Sequence, residues 1–199
     1  MTEIKMCGLS RLCDIRWANE IRPEFVGFVF FKKSSRYVSP QKAAELKAAL
    51  YAGIKAVGVF VNEDPMEVAR LLNEGTIDLA QLHGSEDEDY IKSLRALTEG
   101  KLIQAFVVKS EADLERVKKS SADLVLLDAG AGDGKTFDWS ILAKMDRPYF
   151  LAGGLDPGNV KKAVELCHPY GVDVSSGIET DGFKDKDKMT EFAKETRNG

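Results

Sequence analysis

"YFLAGGLDPGNVKKAVELC", residues 149–167, is the stretch on which the fold turns. It opens as a short apolar run, breaks on two glycines, passes an Asp-Pro pair and continues into an amphipathic segment. A strand, a turn and a helix follow one another without room for a hairpin. That order is one βα unit, and the question is how often the chain repeats it.

Working outward, similar apolar runs occur at 4–7 (IKMC), 25–30 (FVGFVF), 55–61 (KAVGVFV) and 79–83 (LAQLH). Others follow at 101–106 (KLIQAF), 124–128 (LVLLD) and 172–176 (VDVSS). With 149–154 this makes eight predicted strands, each starting roughly 21 to 30 residues after the last. Helix signals fill the gaps. Ser39 and Pro40 read as N-cap and first helical residue, and Pro65 opens a helix whose Gly75 suits the left-handed position past its end. "SEDE" at 85–88 fits a capping box of Ser85 with Glu88, and Asp156-Pro157 repeats the cap-plus-proline device. Strands alternating with helices predict parallel βαβ units.

Eight units in 199 residues fit an α/β fold of one domain, residues 1–199, closed as a (β/α)8 TIM barrel of eight parallel strands. An open doubly wound sheet usually has fewer strands and a Gly-x-Gly-x-x-Gly turn after the first, which "CGLSRL" is not. With 44% hydrophobic residues the chain can bury one sizeable core. The net charge of −4 comes from interleaved acids and bases, with no basic tract for nucleic acid and no apolar run for a membrane helix. The N-terminal residues lack a signal core. Three cysteines, at 7, 13 and 167, make no disulfide framework and no zinc spacing, so a reduced cytoplasmic setting and no metal are expected.

In such a barrel the working face lies at the C-terminal strand ends. Strand one ends on Cys7, strand four on His83, strand six on Asp128, strand seven on Gly153-Gly154 and strand eight on Ser175-Ser176-Gly177. Residues two apart share a strand face, which pairs Lys5 with Cys7, Gln81 with His83, and Leu126 with Asp128. A thiol and a carboxyl facing one cavity can move two protons in opposite directions. Cys7 alone also reads as a small buried hydrophobe, and Asp128 alone as a turn cap. Cys13 and Cys167 fall on helical patterns and read as packing residues. His83 reads as an orienting group rather than a base; with Gln81 it is a candidate substrate contact. The glycine turn at 153–154 and the "SSG" at 175–177 stand where this fold commonly cradles phosphate. Arg36, in the Ser-rich loop after strand two, offers a fork for a planar carboxylate or a solvated surface charge. Lys184, Lys186 and Lys188 read as a solvated face opening the last helix. Lys5 either favours a thiolate at Cys7 or pairs with Asp173 on the neighbouring strand eight.

Taken together, "KMCGLSR", "GFVFFKKSSRYVSP", "VGVFVN", "QLHGSED", "LLDAGAGDGKTFDW", "LAGGLDPGNV" and "DVSSGIETDGFKDKDKM" resemble the phosphoribosylanthranilate isomerase family of tryptophan biosynthesis. The likeness runs in order over nearly the whole chain. It implies a cofactor-free barrel performing an Amadori rearrangement, N-(5-phosphoribosyl)anthranilate going to 1-(o-carboxyphenylamino)-1-deoxyribulose 5-phosphate. It further implies Cys7 as general base, Asp128 as general acid, Arg36 as the holder of the anthranilate carboxylate, and the AGG and SSG turns as the phosphate site. Ser35 departs from a proline common before that arginine, and "AGAGDGKT" is one form of a variable loop. The remaining readings are another phosphosugar isomerase on the same barrel, or a barrel that binds phosphorylated ligands without catalysis. A small phosphorylated substrate and a monomer are expected.

Overall fold

The computed structural model describes residues 1–128 and 139–199. Eight parallel strands close into a barrel in sequence order, the first paired with both the second and the eighth. They are β1 (Glu3–Cys7), β2 (Phe25–Val29), β3 (Lys55–Phe60), β4 (Leu79–Leu82), β5 (Lys101–Val107), β6 (Leu124–Asp128), β7 (Tyr149–Ala152) and β8 (Gly171–Val174). Each lies within a few residues of its sequence expectation. Glycines 153 and 154 and Ser175-Ser176-Gly177 fall in the turns just beyond β7 and β8.

Outside the ring run α1 (Leu12–Ile21), α2 (Pro40–Ala48), α3 (Pro65–Asn73), α4 (Glu88–Arg95), α5 (Glu111–Lys118), α6 (Val160–Cys167) and α7 (Lys186–Arg197). A 3₁₀ helix, Trp139–Lys144, precedes β7. Ser39 caps α2 by accepting from the Lys42 amide, and Gly75 takes φ +74° after α3, both as the sequence signals. Two helix starts differ from expectation. Asp87, not Ser85, caps α4, accepting from the Tyr90 amide. Ser85 instead bonds the Asn62 side chain, and Glu88 reaches the Ser121 amide. Asp156 caps a turn ahead of α6 through the Gly158 and Asn159 amides, so the helix proper begins at Val160 rather than at Pro157.

Strand alternation divides the core in two. Outward residues such as Ile4, Met6, Val26 and Phe28 pack under the helices, and each large buried side chain contributes about 1.5–3 kcal/mol. Inward residues Phe25, Val57, Leu79, Ile103, Leu126 and Phe150 plug the lower barrel, with Phe25 and Phe150 edge to face at 5.4 Å. Above that plug the inward positions turn polar. Beyond β8 a short antiparallel hairpin, β9 (Glu179–Thr180) with β10 (Phe183–Lys184), turns through Asp181 and Gly182, both at positive φ as a tight hairpin requires. Among the described residues no helix is long and apolar enough to cross a membrane.

Candidate active site

A cavity of about 310 Å³ opens at the C-terminal end of the strands. Cys7, Arg36, Gln81, His83, Asp128, Gly153, Gly154, Ser175 and Ser176 all line it. Gly177 does not. A Cβ at that position would lie 2.0 Å from the Leu155 carbonyl oxygen, so its glycine serves a close approach of two loop backbones. The glycine-rich loop after Asp128, "AGAGDGKT", lies outside the described residues.

Cys7 stands opposite Gly27 in the β1–β2 register, and a Cβ on Gly27 would come within 2.7 Å of its sulfur. The missing side chain on β2 gives the sulfur its space, a role the sequence reading did not assign. Lys5 and Asp173 are register partners, and the fully buried ammonium meets the carboxylate at 2.7 Å. Burial works against the Lys5 charge, but Asp173 and then Cys7 outweigh it and hold the ammonium above its usual range. The two uses foreseen for Lys5 therefore coexist. Burial pushes the Cys7 thiol up, and Asp173 adds to that; Lys5 and Lys184 pull it down without reversing the direction.

Next to Cys7 lies a charged chain that sequence reasoning missed. Arg36 gives Nε to Glu179 Oε1 at 2.7 Å and Nη2 to Oε2 at 2.6 Å. Lys184 Nζ reaches Glu179 Oε1 at 2.5 Å and the Ser175 carbonyl at 2.9 Å. Lys186 and Lys188 are exposed as expected, but Lys184 is only 5% exposed, which corrects the solvated reading. The available signal was alternation in the hairpin: Phe183 points out, so Lys184 points in. Burial alone would raise the Glu179 carboxyl, yet hydrogen bonds from Arg36 and Lys184 hold it below the ordinary carboxylate range. The Ser175 hydroxyl donates to the Cys7 carbonyl at 3.2 Å, tying β8 to β1.

Across the cavity the arrangement is looser. Buried Gln81 offers Nε2 to His83 Nδ1 at 2.9 Å. With that amide as donor, Nδ1 accepts and the ring proton sits on Nε2, which faces Asp128 Oδ2 at 3.7 Å. Gln81 Oε1 is buried without a hydrogen-bond partner among the described residues. On the third side Gly153 (φ +94°) and Gly154 (φ +65°) adopt backbone that L side chains rarely take, with Asn159 Nδ2 clamping the Gly154 carbonyl at 2.8 Å. The "SSG" turn folds as one 3₁₀ turn, Ser176–Ile178. Thiol, carboxyl, arginine fork and bare turns thus face one space, a set suited to acid–base work on an anionic ligand.

The family model described as N-(5'phosphoribosyl)anthranilate (PRA) isomerase matches residues 4–195. The chain belongs to the phosphoribosylanthranilate isomerase family. An N-(5'-phosphoribosyl)anthranilate isomerase from Thermoanaerobacter sp. (strain X514) is 41% identical, over 99% of this chain and 98% of the relative. The crystal structure of phosphoribosyl anthranilate isomerase from Thermotoga maritima superposes with a TM-score of 0.91 at 37% identity, covering 100% of both chains. A crystal structure of phosphoribosyl anthranilate isomerase in complex with reduced 1-(o-carboxyphenylamino)-1-deoxyribulose 5-phosphate superposes at 0.90 with 36% identity and the same full coverage. Membership in this isomerase family, fold and sequence alike, extends over nearly the whole chain.

Proposed function

We propose residue roles within the activity that family membership gives: the chain is an isomerase of tryptophan biosynthesis. It carries N-(5'-phosphoribosyl)anthranilate through an Amadori rearrangement to 1-(o-carboxyphenylamino)-1-deoxyribulose 5-phosphate. The observation that carries the roles is the meeting of Cys7 and Asp128, from β1 and β6, in one cavity. Arg36 holds the carboxylate end of the substrate, and the Gly153-Gly154 and Ser175-Ser176 turns hold the phosphate. Gln81 and His83 border the sugar between them. Anchoring both ends fixes the pentose against the two reacting groups, which lowers the entropy cost of the chemical step.

Asp128 as the acid gives its proton to the ring oxygen, and the furanose opens to a Schiff base. Cys7 as thiolate then takes the proton from the sugar C2. The electron pair moves to the nitrogen, giving an enolamine that tautomerises to the ketone. Asp128 must be protonated and Cys7 ionised for these roles, the reverse of their ordinary states at neutral pH. The anionic substrate pushes the aspartate the right way. Lys5 and Lys184 favour the thiolate, and burial opposes it. No step uses a metal or cofactor. The three free cysteines support a reduced, cytoplasmic setting.

Freshly prepared phosphoribosylanthranilate incubated with the protein should show loss of anthranilate fluorescence in proportion to enzyme. Folded protein that leaves the fluorescence at the blank rate would overturn the assignment.

A further inference from the structure

We infer that Glu179 is a positioning residue: it grips one edge of the Arg36 guanidinium so that another edge is presented to the substrate carboxylate. The inference rests on the reading of Arg36 given above and names what makes that fork usable.

A guanidinium carries five N–H donors in a plane. Glu179 takes two of them, from Nε and Nη2. The end edge, with one Nη1 proton and the second Nη2 proton, keeps its full bidentate capacity, and Arg36 lines the cavity with 30% of its side chain exposed. Glu179 thus does not consume the fork; it selects the edge. An arginine held on one edge has also lost most of its rotamer freedom before the ligand arrives.

The opposite reading makes Glu179 a resident carboxylate in the place the substrate needs. Its surroundings speak against that. Its side chain is 8% exposed, and the Lys184 side chain bonded to it is 2% exposed. Lys188 Nζ also holds the Glu179 carbonyl at 2.7 Å, and the hairpin of β9 and β10 carries both Glu179 and Lys184. Moving Glu179 aside would strand a buried ammonium. Charge agrees: Arg36 and Lys184 supply two positive charges against one negative on Glu179, leaving one to meet an anion.

The test is steady-state kinetics of Glu179→Gln, with inhibition by two product analogues that differ only in the aryl carboxylate. KM should rise about tenfold with kcat changed by less than about threefold. The carboxylate-bearing analogue should weaken by a similar factor, and the analogue without it should bind unchanged. In an Arg36→Lys background, where no side edge exists to be gripped, Glu179→Gln should have little further effect. A lower KM in Glu179→Gln would overturn the inference in favour of the resident-carboxylate reading. Equal weakening of both analogues would overturn it as general damage. Should Glu179→Gln not fold, Glu179→Asp keeps the charge but shortens the reach; it should raise KM in the same carboxylate-specific way, and an unchanged KM would overturn the idea. Arg36→Ala separates the two levels. If it leaves KM alone, the carboxylate reading fails and this inference with it. If it raises KM while Glu179→Gln does not, only the inference fails.

Discussion

On the Cys7 flank of the cavity, charges meet at close range and all but Arg36 are buried: Lys5 with Asp173 at 2.7 Å, and Glu179 between Arg36 at 2.6 Å and Lys184 at 2.5 Å. On the Asp128 flank, His83 lies 3.7 Å from the carboxylate, and the two side chains keep 32% and 27% of their surface in solvent. The contrast matches the two tasks proposed for Cys7 and Asp128. A thiolate needs fixed positive charge nearby, and fixed charge acts strongly only where water is excluded. A carboxyl that must hold a proton gains it from desolvation, which an arriving ligand supplies by covering a wet group.

The largest effects should come from the reacting groups. Cys7→Ser and Asp128→Asn should each lower kcat on the order of a thousandfold with KM nearly unchanged, measured by anthranilate fluorescence. A large loss in only one of them would break the division of labour between the flanks. The next contrast is in stability. Lys5→Met strands the Asp173 carboxylate and should cost about 3–5 kcal/mol in urea unfolding. Gln81→Leu on the looser flank removes an oxygen that has no partner among the described residues, so the midpoint should hold or rise while kcat falls about tenfold. A Gln81→Leu loss as large as that of Lys5→Met would erase the contrast.

The smallest effect is a titration. Thiolate absorbance near 240 nm, compared between the chain and Cys7→Ser, should appear for Cys7 only above the ordinary thiol value of about 8.5. Burial pushes Cys167 up to about 11. Both thiols are neutral more persistently in the folded than in the unfolded chain. Their contribution to stability is therefore complete below about pH 8.5 and declines as pH rises toward the folded values. Thiolate from Cys7 at neutral pH would show that Lys5 and Lys184 outweigh burial.

The barrel was legible because strand and helix alternate with little ambiguity, and because inward positions follow from period-two counting. Cys7, Gln81, His83 and Asp128 could be put on definite strand faces by that rule, and the closed ring decides that those faces share one space. Glu179 and Lys184 could not. They sit on a hairpin of two two-residue strands beyond β8, whose alternation tells which face is buried only once Phe183 is seen to be exposed, and Arg36, the partner of Glu179, is distant in sequence. Gly27 was hidden for a different reason: a glycine inside a strand gives no sign of which neighbour needs its space. Lys5 was legible as a pair of options, since the register of β1 on β8 decides its partner and no local signal sets that register.

Gly177 and Leu155 carry one more consequence. Where a single methyl group would press to 2.0 Å of the carbonyl oxygen, the turns after β7 and β8 abut main chain on main chain. The gap between them is therefore a gauge cut in peptide, and side-chain replacement can redecorate it without resizing it. Widening the space between these turns means moving both loops together.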